Sequence, residues 1–144
     1  TPGHHPGHVC LLSDAGLVAG DMVAGIGTIL IPPGTGDMDV YIEQLKRLQQ
    51  LNPHLMFPSH GPVIPLPNKT LAYYIKHRME RHQRVLDAVE SGLATIPEIS
   101  TEAYANTPDA HPGLAQDQTL AHLLSHERAG RVQQTNKGWI RGDD

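Results

Sequence analysis

Three short segments of this 144-residue sequence carry side chains that could bind a metal ion. Thr1-Pro2-Gly3-His4 places a histidine after a Pro-Gly turn, and Ala19-Gly20-Asp21 places a carboxylate after an apolar run. Pro58-Ser59-His60-Gly61-Pro62 places another histidine between chain-bending residues. Imidazole and carboxylate groups on loops at strand ends suit Zn²⁺ or another borderline divalent ion. Each segment alone is more often an ordinary loop, so the prediction depends on all three occurring together.

The elements predicted around these segments place residues 1 to about 66 in the α/β class. The sequence Asp14-Ala15-Gly16 separates two apolar runs and predicts a hairpin. Asp37 begins a helix that Asn52-Pro53 ends. The predicted strands span 8–13, 17–19, 28–31 and 55–57, and a second, longer helix spans 68–91, with Gly92 after it. A sheet of so few strands cannot bury both of its faces. We therefore expect these residues to form half of a larger sandwich.

The C-terminal residues have the outline of a winged helix-turn-helix, with two helices followed by a small hairpin. The helices are predicted near 97–105 and 115–128, and the hairpin strands at 131–135 and 139–141. We therefore predict two domains, residues 1–94 including the long linking helix, and residues 95–144. In the second domain we expect Leu120, Leu123 and Leu124 to form a small core. Trp139 is interpreted as an anchor of that core rather than as a platform for a base.

Composition and charge exclude several classes of protein. Charged residues make up 18% and hydrophobic residues 39%, which is typical of a soluble globular protein. The longest apolar stretch, residues 22–33, is too short and too rich in glycine to span a bilayer, and the sequence leads us to expect no secretory signal. The single cysteine, Cys10, suits a reducing cytosol. The chain begins inside a candidate site without an initiator methionine, so we expect it to belong to a longer, cytoplasmic protein.

Taken in order, with apolar strands between them, the three segments resemble the metallo-β-lactamase superfamily. His4 lies in a TPGH segment, Asp21 in an (S/A)GD segment and His60 in an HGP segment. The resemblance implies the C-terminal half of an αββα sandwich. Further along, the segment 74–78 (Tyr-Ile-Lys-His-Arg) resembles a helix of the branch that includes β-lactamase-like protein 2, as do Arg81 and Gln83. That branch appends a winged helix, so the resemblance covers essentially the whole chain.

The resemblance also implies a role for each residue. His4 would complete one zinc site, Asp21 would bridge two metal ions as the catalytic carboxylate, and His60 would belong to the second zinc site. A hydroxide held between two zinc ions would attack an ester, thioester, amide or phosphodiester, because bound metal lowers the pKa of water to roughly 7. His8 follows the first ligand on the adjoining strand, and its role is left open between support of the site and ordinary packing.

One family signature, H-x-H-x-D-H, is missing from this sequence, and we expect it before Thr1 in a longer protein. It supplies four ligands, so this chain holds only three of the set. Since a catalytic zinc takes about three protein ligands, three ligands split between two metals leave both under-coordinated. We therefore expect this polypeptide to be inactive alone and assign the enzymatic function to the parent protein.

Three functions remain open. The first is a zinc hydrolase acting on a small-molecule or acyl substrate, the second is a single-strand-specific endoribonuclease of the same fold, and the third is a non-enzymatic winged-helix binding module. Residues 95–144 hold four basic and seven acidic residues, a net charge of −3, which argues against independent DNA binding. An exposed sheet edge could also pair with a second copy of the chain.

Overall fold

In the computed structural model, residues 1–143 are described and form four helices and five strands. They are β1 (Leu11–Ser13), β2 (Gly16–Gly20), α1 (Met38–Leu51), β3 (Met56–Pro58), α2 (Pro67–Glu90), α3 (Ile96–Ala103), α4 (Pro112–Arg128), β4 (Val132–Thr135) and β5 (Gly138–Arg141). This mixed content agrees with the predicted α/β class. None of the helices in this part of the chain has both the length and the apolar character needed to cross a membrane.

The chain divides into two compact units, and the boundary between them lies within α2, between Arg78 and Met79. The boundary that we predicted after residue 94 stays a prediction, and Asp144, the last residue of the predicted second domain, lies outside the described residues. The helix α2 is continuous from Pro67 to Glu90, so its first half belongs to the first unit and its second half to the second.

The first unit contains a three-stranded sheet in the order β1-β2-β3. β1 and β2 are antiparallel and joined at the predicted Asp14-Ala15 turn, whereas β2 and β3 are parallel. Leu17 pairs with Met56 and Gly20 with Pro58, with a bulge between Val18 and Gly20. Since β2 and β3 run in the same direction, the residues that follow the two strands lie next to each other at the carboxyl ends of the strands.

The helix α1 forms as predicted from its end signals. The Asp37 carboxylate accepts hydrogen bonds from the Asp39 and Val40 amides, and Asn52 at the other end adopts a left-handed conformation with φ of 49°. The helix buries Tyr41, Leu45 and Leu48, which recur at the spacing of one helix face. This face gives the first unit much of its core.

The predicted strand at residues 28–31 is wrong, because that segment forms no strand. Its backbone acceptors are taken by side chains instead of by a neighbouring strand. The Arg78 guanidinium donates to the Ile29 carbonyl and to Thr28 Oγ1, and His4 Nδ1 lies 2.7 Å from the Leu30 carbonyl oxygen. The segment buries Ile29 and Ile31, but a strand also needs a neighbouring strand to pair with.

The second unit is built around one apolar cluster. It comprises Val85, Ala88, Val89, Ile99, Ala103, Leu123, Val132 and Trp139, with Leu120 and Leu124 packed against it. The burial of Leu123 and Trp139 confirms the core predicted for this region. β4 and β5 form the predicted antiparallel hairpin, in which Gln134 pairs with Trp139. The winged-helix assignment itself stays a prediction.

Polar contacts fix both ends of α3. Thr95 and Glu98 form a reciprocal capping box at the start of the helix. At the other end, the carbonyl of Ala103 accepts hydrogen bonds from the guanidinium groups of Arg81 and Arg84, both on α2. These contacts satisfy backbone groups that a helix leaves without partners at its ends.

Candidate metal centre

Asp21 and His60 lie where the parallel strands β2 and β3 end. Asp21 directly follows Gly20, the last residue of β2, and His60 follows β3 by two residues. A hydrogen bond of 3.0 Å from the Ser59 amide to the Gly20 carbonyl holds the two strand ends together. His60 Nε2 lies 3.2 Å from Asp21 Oδ1. The structure therefore brings these two predicted residues together.

His4 reaches the same carboxylate from the other side. It follows Gly3, which has a φ of +133°, and a Cβ added to Gly3 would lie 2.5 Å from the Tyr41 Cα. The Asp37 amide donates to the Gly3 carbonyl at 2.7 Å, so this segment is docked on the start of α1. His4 Nε2 lies 3.8 Å from Asp21 Oδ2. Only glycine fits at position 3, which explains why a Pro-Gly pair precedes this histidine.

The two oxygens of Asp21 thus face two different imidazoles. Around a tetrahedral zinc ion with bonds of about 2.0–2.2 Å, neighbouring donor atoms lie about 3.3–3.6 Å apart. The two nitrogen–oxygen distances of 3.2 and 3.8 Å lie on either side of that range. The donor types suit a divalent cation, and both distances lie within about 0.2 Å of that range, so Asp21 could share a cation with each histidine.

The tautomer of His4 supports the same interpretation. The Leu30 carbonyl can only accept a hydrogen bond, so His4 Nδ1 must carry the proton across their 2.7 Å contact. Nε2, which faces Asp21 Oδ2, is then the nitrogen whose lone pair is available to a metal ion. Two electron-rich atoms that face each other attract only a cation, either a proton or a metal ion. A backbone carbonyl that orients a ring in this way is common behind metal-bound histidines.

The three side chains are accessible but do not complete a site. The relative exposures are 27% for His4, 32% for Asp21 and 72% for His60, so a solvent-borne ion could reach them. Within residues 1–143, no three His, Cys, Asp or Glu side chains are arranged to hold one metal ion by themselves. A metal centre here needs further donors.

His8, which the sequence left open, contacts the backbone of the central residue. Its Nε2 accepts a hydrogen bond of 2.9 Å from the Asp21 amide, and its Nδ1 lies 3.1 Å from the Thr1 carbonyl oxygen. Burial lowers the pKa of His8, and the hydrogen bond to Thr1 opposes that shift in part. His8 is therefore held as a neutral imidazole. By contrast, His5 is exposed, and its Nδ1 accepts a hydrogen bond from the nearby Gly7 amide.

Sequence reasoning missed two tyrosines that hold the loop after Asp21. Tyr41 donates a hydrogen bond of 2.7 Å to the Met22 carbonyl, and Tyr74 contacts the backbone of Ala24 and Gly27. Burial raises the pKa of both phenols, so neither acts as an acid near neutral pH. A signal was available, because a tyrosine on an apolar helix stripe needs a hydrogen-bond partner when buried.

Comparison with known proteins shows to which family the chain is similar. Residues 1–60 match the family model described as the metallo-beta-lactamase superfamily. A Drosophila melanogaster protein named beta-lactamase-like protein 2 homolog is 38% identical over 92% of this chain and 45% of its own length. The chain belongs to the metallo-β-lactamase superfamily. The Drosophila relative also confirms the branch that the segment 74–78 indicated.

Two other relatives of this superfamily member extend the comparison. An atrochrysone carboxyl ACP thioesterase from Aspergillus fumigatus is 31% identical over 63% of the chain and 28% of the relative. The crystal structure of a metallo-beta-lactamase family protein from Thermus thermophilus superposes with a TM-score of 0.81. At 22% identity it covers 98% of this chain and 47% of that protein, and it shows the shared fold. The chain thus spans about half the length of the Drosophila and Thermus proteins it matches.

Proposed function

We propose that the protein containing this chain is a zinc-dependent hydrolase and that the chain contributes His4, Asp21 and His60 to its metal centre. One observation carries the proposal: each oxygen of Asp21 faces the Nε2 atom of a different histidine. Each oxygen of the Asp21 carboxylate could therefore share a cation with one imidazole nitrogen. A carboxylate shared by two cations needs one donor partner on each side.

Each residue has a defined task in this centre. The Asp21 carboxylate supplies the negative charge that attracts two cations and acts as the catalytic carboxylate. His4 and His60 each supply one neutral nitrogen, and the Leu30 carbonyl orients the His4 ring. When bound, two zinc ions supply a hydrolytic nucleophile at neutral pH and stabilise the negative charge that develops on the substrate. The exposed His60 marks the side from which a substrate can approach.

The remaining ligands must come from outside this chain, because H-x-H-x-D-H does not occur in its 144 residues. We therefore propose that the 144-residue polypeptide has little or no activity by itself. β1 is at the edge of the sheet, and its residues Leu11 and Leu12 are exposed. An isolated chain would expose this edge for pairing with a second copy.

For the substrate we propose an acyl compound, with a thioester as the first class to test. The name of the Aspergillus relative, a thioesterase, supports this choice. Single-stranded RNA is the alternative, and the net charge of −3 in residues 95–144 weighs against it. We interpret those residues as a winged helix without independent DNA binding. A cytoplasmic location is proposed from the single cysteine, Cys10, which is a free thiol.

The test uses the full-length protein, its Asp21→Asn variant and a control, Asp14→Asn, in the exposed β1–β2 turn. Metal analysis should find two zinc ions per wild-type and control chain and fewer than two in Asp21→Asn, because a neutral amide is a weaker ligand than the carboxylate shared by both cations. Thioester hydrolysis should follow the metal content. A wild-type protein that binds fewer than one metal would favour the non-enzymatic binding module. Cleavage of single-stranded RNA, lost in Asp21→Asn, without thioester hydrolysis would favour the endoribonuclease.

A further inference from the structure

The peptide group that joins Gly20 to Asp21 is held at both ends from outside β2. Its carbonyl accepts a hydrogen bond of 3.0 Å from the Ser59 amide, and its N–H donates one of 2.9 Å to His8 Nε2. Because a peptide group is planar, two such bonds fix the orientation of the whole group. They therefore fix the direction of the bond from the amide nitrogen to the Asp21 Cα, and with it the position from which the carboxylate side chain extends.

The His8 ring is itself fixed by its second nitrogen. The carbonyl oxygen and the Oγ1 atom of Thr1 both lie 3.1 Å from His8 Nδ1, and the carbonyl accepts from a ring that carries its proton on Nδ1 and a lone pair on Nε2. This is the tautomer that the Asp21 amide requires. Thr1 begins the segment that carries His4. His8 thus links the backbone of the segment bearing His4 to the backbone of Asp21.

Gly20 provides an independent indication that the ring must lie at this place. It has a φ of +54°, and a Cβ added there would lie 2.5 Å from His8 Nε2. Any larger residue would push the imidazole away from the amide that it binds. The glycine of the Ala-Gly-Asp segment is therefore explained by the close approach of His8.

We propose that His8 is a positioning residue of the metal centre, which orients the Asp21 carboxylate by holding the Gly20–Asp21 peptide group between itself and Ser59. His8 itself does not touch the metal or the substrate. This inference rests on the proposed function for its effect on metal binding, but the hydrogen bond on which it depends exists without any metal.

Two substitutions of His8 separate hydrogen bonding from ring packing. His8→Gln keeps an acceptor oxygen near the position of Nε2, whereas His8→Leu fills similar space without one. We expect His8→Leu to weaken zinc binding by about 10–100-fold, the usual effect of losing a group that orients a ligand. His8→Gln should stay within about 3-fold of wild type. The matched control is His5→Leu, which changes an exposed histidine in the same loop.

Zinc affinity of the full-length protein would be measured by competition with a chromophoric chelator, and folding by thermal unfolding. Wild-type affinity in His8→Leu would overturn the proposal, and so would equal losses in His8→Gln and His8→Leu. If His8→Leu does not fold, the proposal is tested instead by NMR on wild-type protein labelled with ¹⁵N. We expect a scalar coupling between the Asp21 amide nitrogen and His8 Nε2 in the metal-free protein, and its absence from a resolved Asp21 signal would overturn the proposal. Because this coupling is read without metal, a failure of the zinc hypothesis alone would leave it intact.

Discussion

Histidines serve opposite purposes in the two units of this chain. In the first unit, His4 and His60 keep one nitrogen directed at a carboxylate and remain accessible to solvent. In the second unit His82 and His122 are buried, and their Nδ1 atoms lie 3.1 Å apart. His126 is also buried, stacks on the His82 ring at 3.6 Å and donates to the His82 carbonyl. The first pair faces the carboxylate of the proposed metal centre, whereas the second group is used in packing.

The difference shows what makes a histidine a candidate ligand. Ten histidines in 144 residues suggest metal binding by number alone, but only some have a carboxylate within reach. His4 has one nitrogen fixed by the Leu30 carbonyl and the other directed toward the Asp21 carboxylate, and His60 directs its Nε2 toward the same solvent-accessible group. In the second unit His82 contacts His122 and His126 through its ring and its carbonyl, and the apolar cluster stabilises the fold.

The largest effect on stability is expected in the second unit. Trp139, 3% exposed, is part of the apolar cluster, and Trp139→Ala should lower the free energy of unfolding by about 3–5 kcal/mol. Urea denaturation would measure the loss, with the milder Trp139→Phe as a reference. A loss below about 1 kcal/mol would mean that the cluster does not stabilise the unit.

Matched histidine substitutions test the comparison directly. We expect His4→Ala to weaken zinc binding of the full-length protein more than about 100-fold, beyond the usual effect of losing a supporting residue. His122→Ala should leave zinc affinity within about 3-fold but lower stability, because it removes a buried partner of His82. Chelator competition and urea denaturation would be applied to both variants. The comparison fails if His122→Ala impairs zinc binding as strongly as His4→Ala.

A smaller loss is expected where a single hydroxyl holds the loop of the first unit. Tyr41→Phe removes the donor to the Met22 carbonyl and leaves that acceptor without its bond, which should cost about 1–3 kcal/mol. Tyr73, 63% exposed on α2, offers a control, and Tyr73→Phe should stay within about 0.5 kcal/mol of wild type. Hydrogen exchange should rise at residues 22–27 in Tyr41→Phe. Unchanged exchange there would show that Tyr41 does not hold the loop.

The smallest effect is expected at the exposed cap of α3. Thr95→Ala removes one half of the capping box and should cost about 1 kcal/mol. Hydrogen bonds from Thr95 lower the pKa of Glu98, so this contribution is present at neutral pH and is lost as the pH falls below the ordinary glutamate value of about 4.3. The stability difference between wild type and Thr95→Ala should therefore shrink on acidification. A difference that grows below that pH would contradict the capping-box account.

Sequence patterns predicted most elements where their signals are local. Asp37 and Asn52 marked both ends of α1, and the Asp14-Ala15 turn marked the β1–β2 hairpin. The segment 28–31 was predicted wrongly, because a strand depends on a neighbour that a local pattern cannot show. His4, Asp21 and His60 were selected from their place at strand ends and from the family resemblance. Their roles as ligands stay a proposal, although the structure places them together.

Short stretches of this chain are enough to specify which residue types follow the strands, where the helices begin and end, and which residues form the apolar stripes. These are local properties, set by propensity, capping and periodicity. Long-range packing is what directs each oxygen of Asp21 at a different imidazole and brings His8 to the Asp21 amide across thirteen residues of sequence. Distances of about 3 Å depend on the parallel pairing of β2 with β3 and on the docking of Gly3 against Tyr41, and neither contact is encoded in one segment alone.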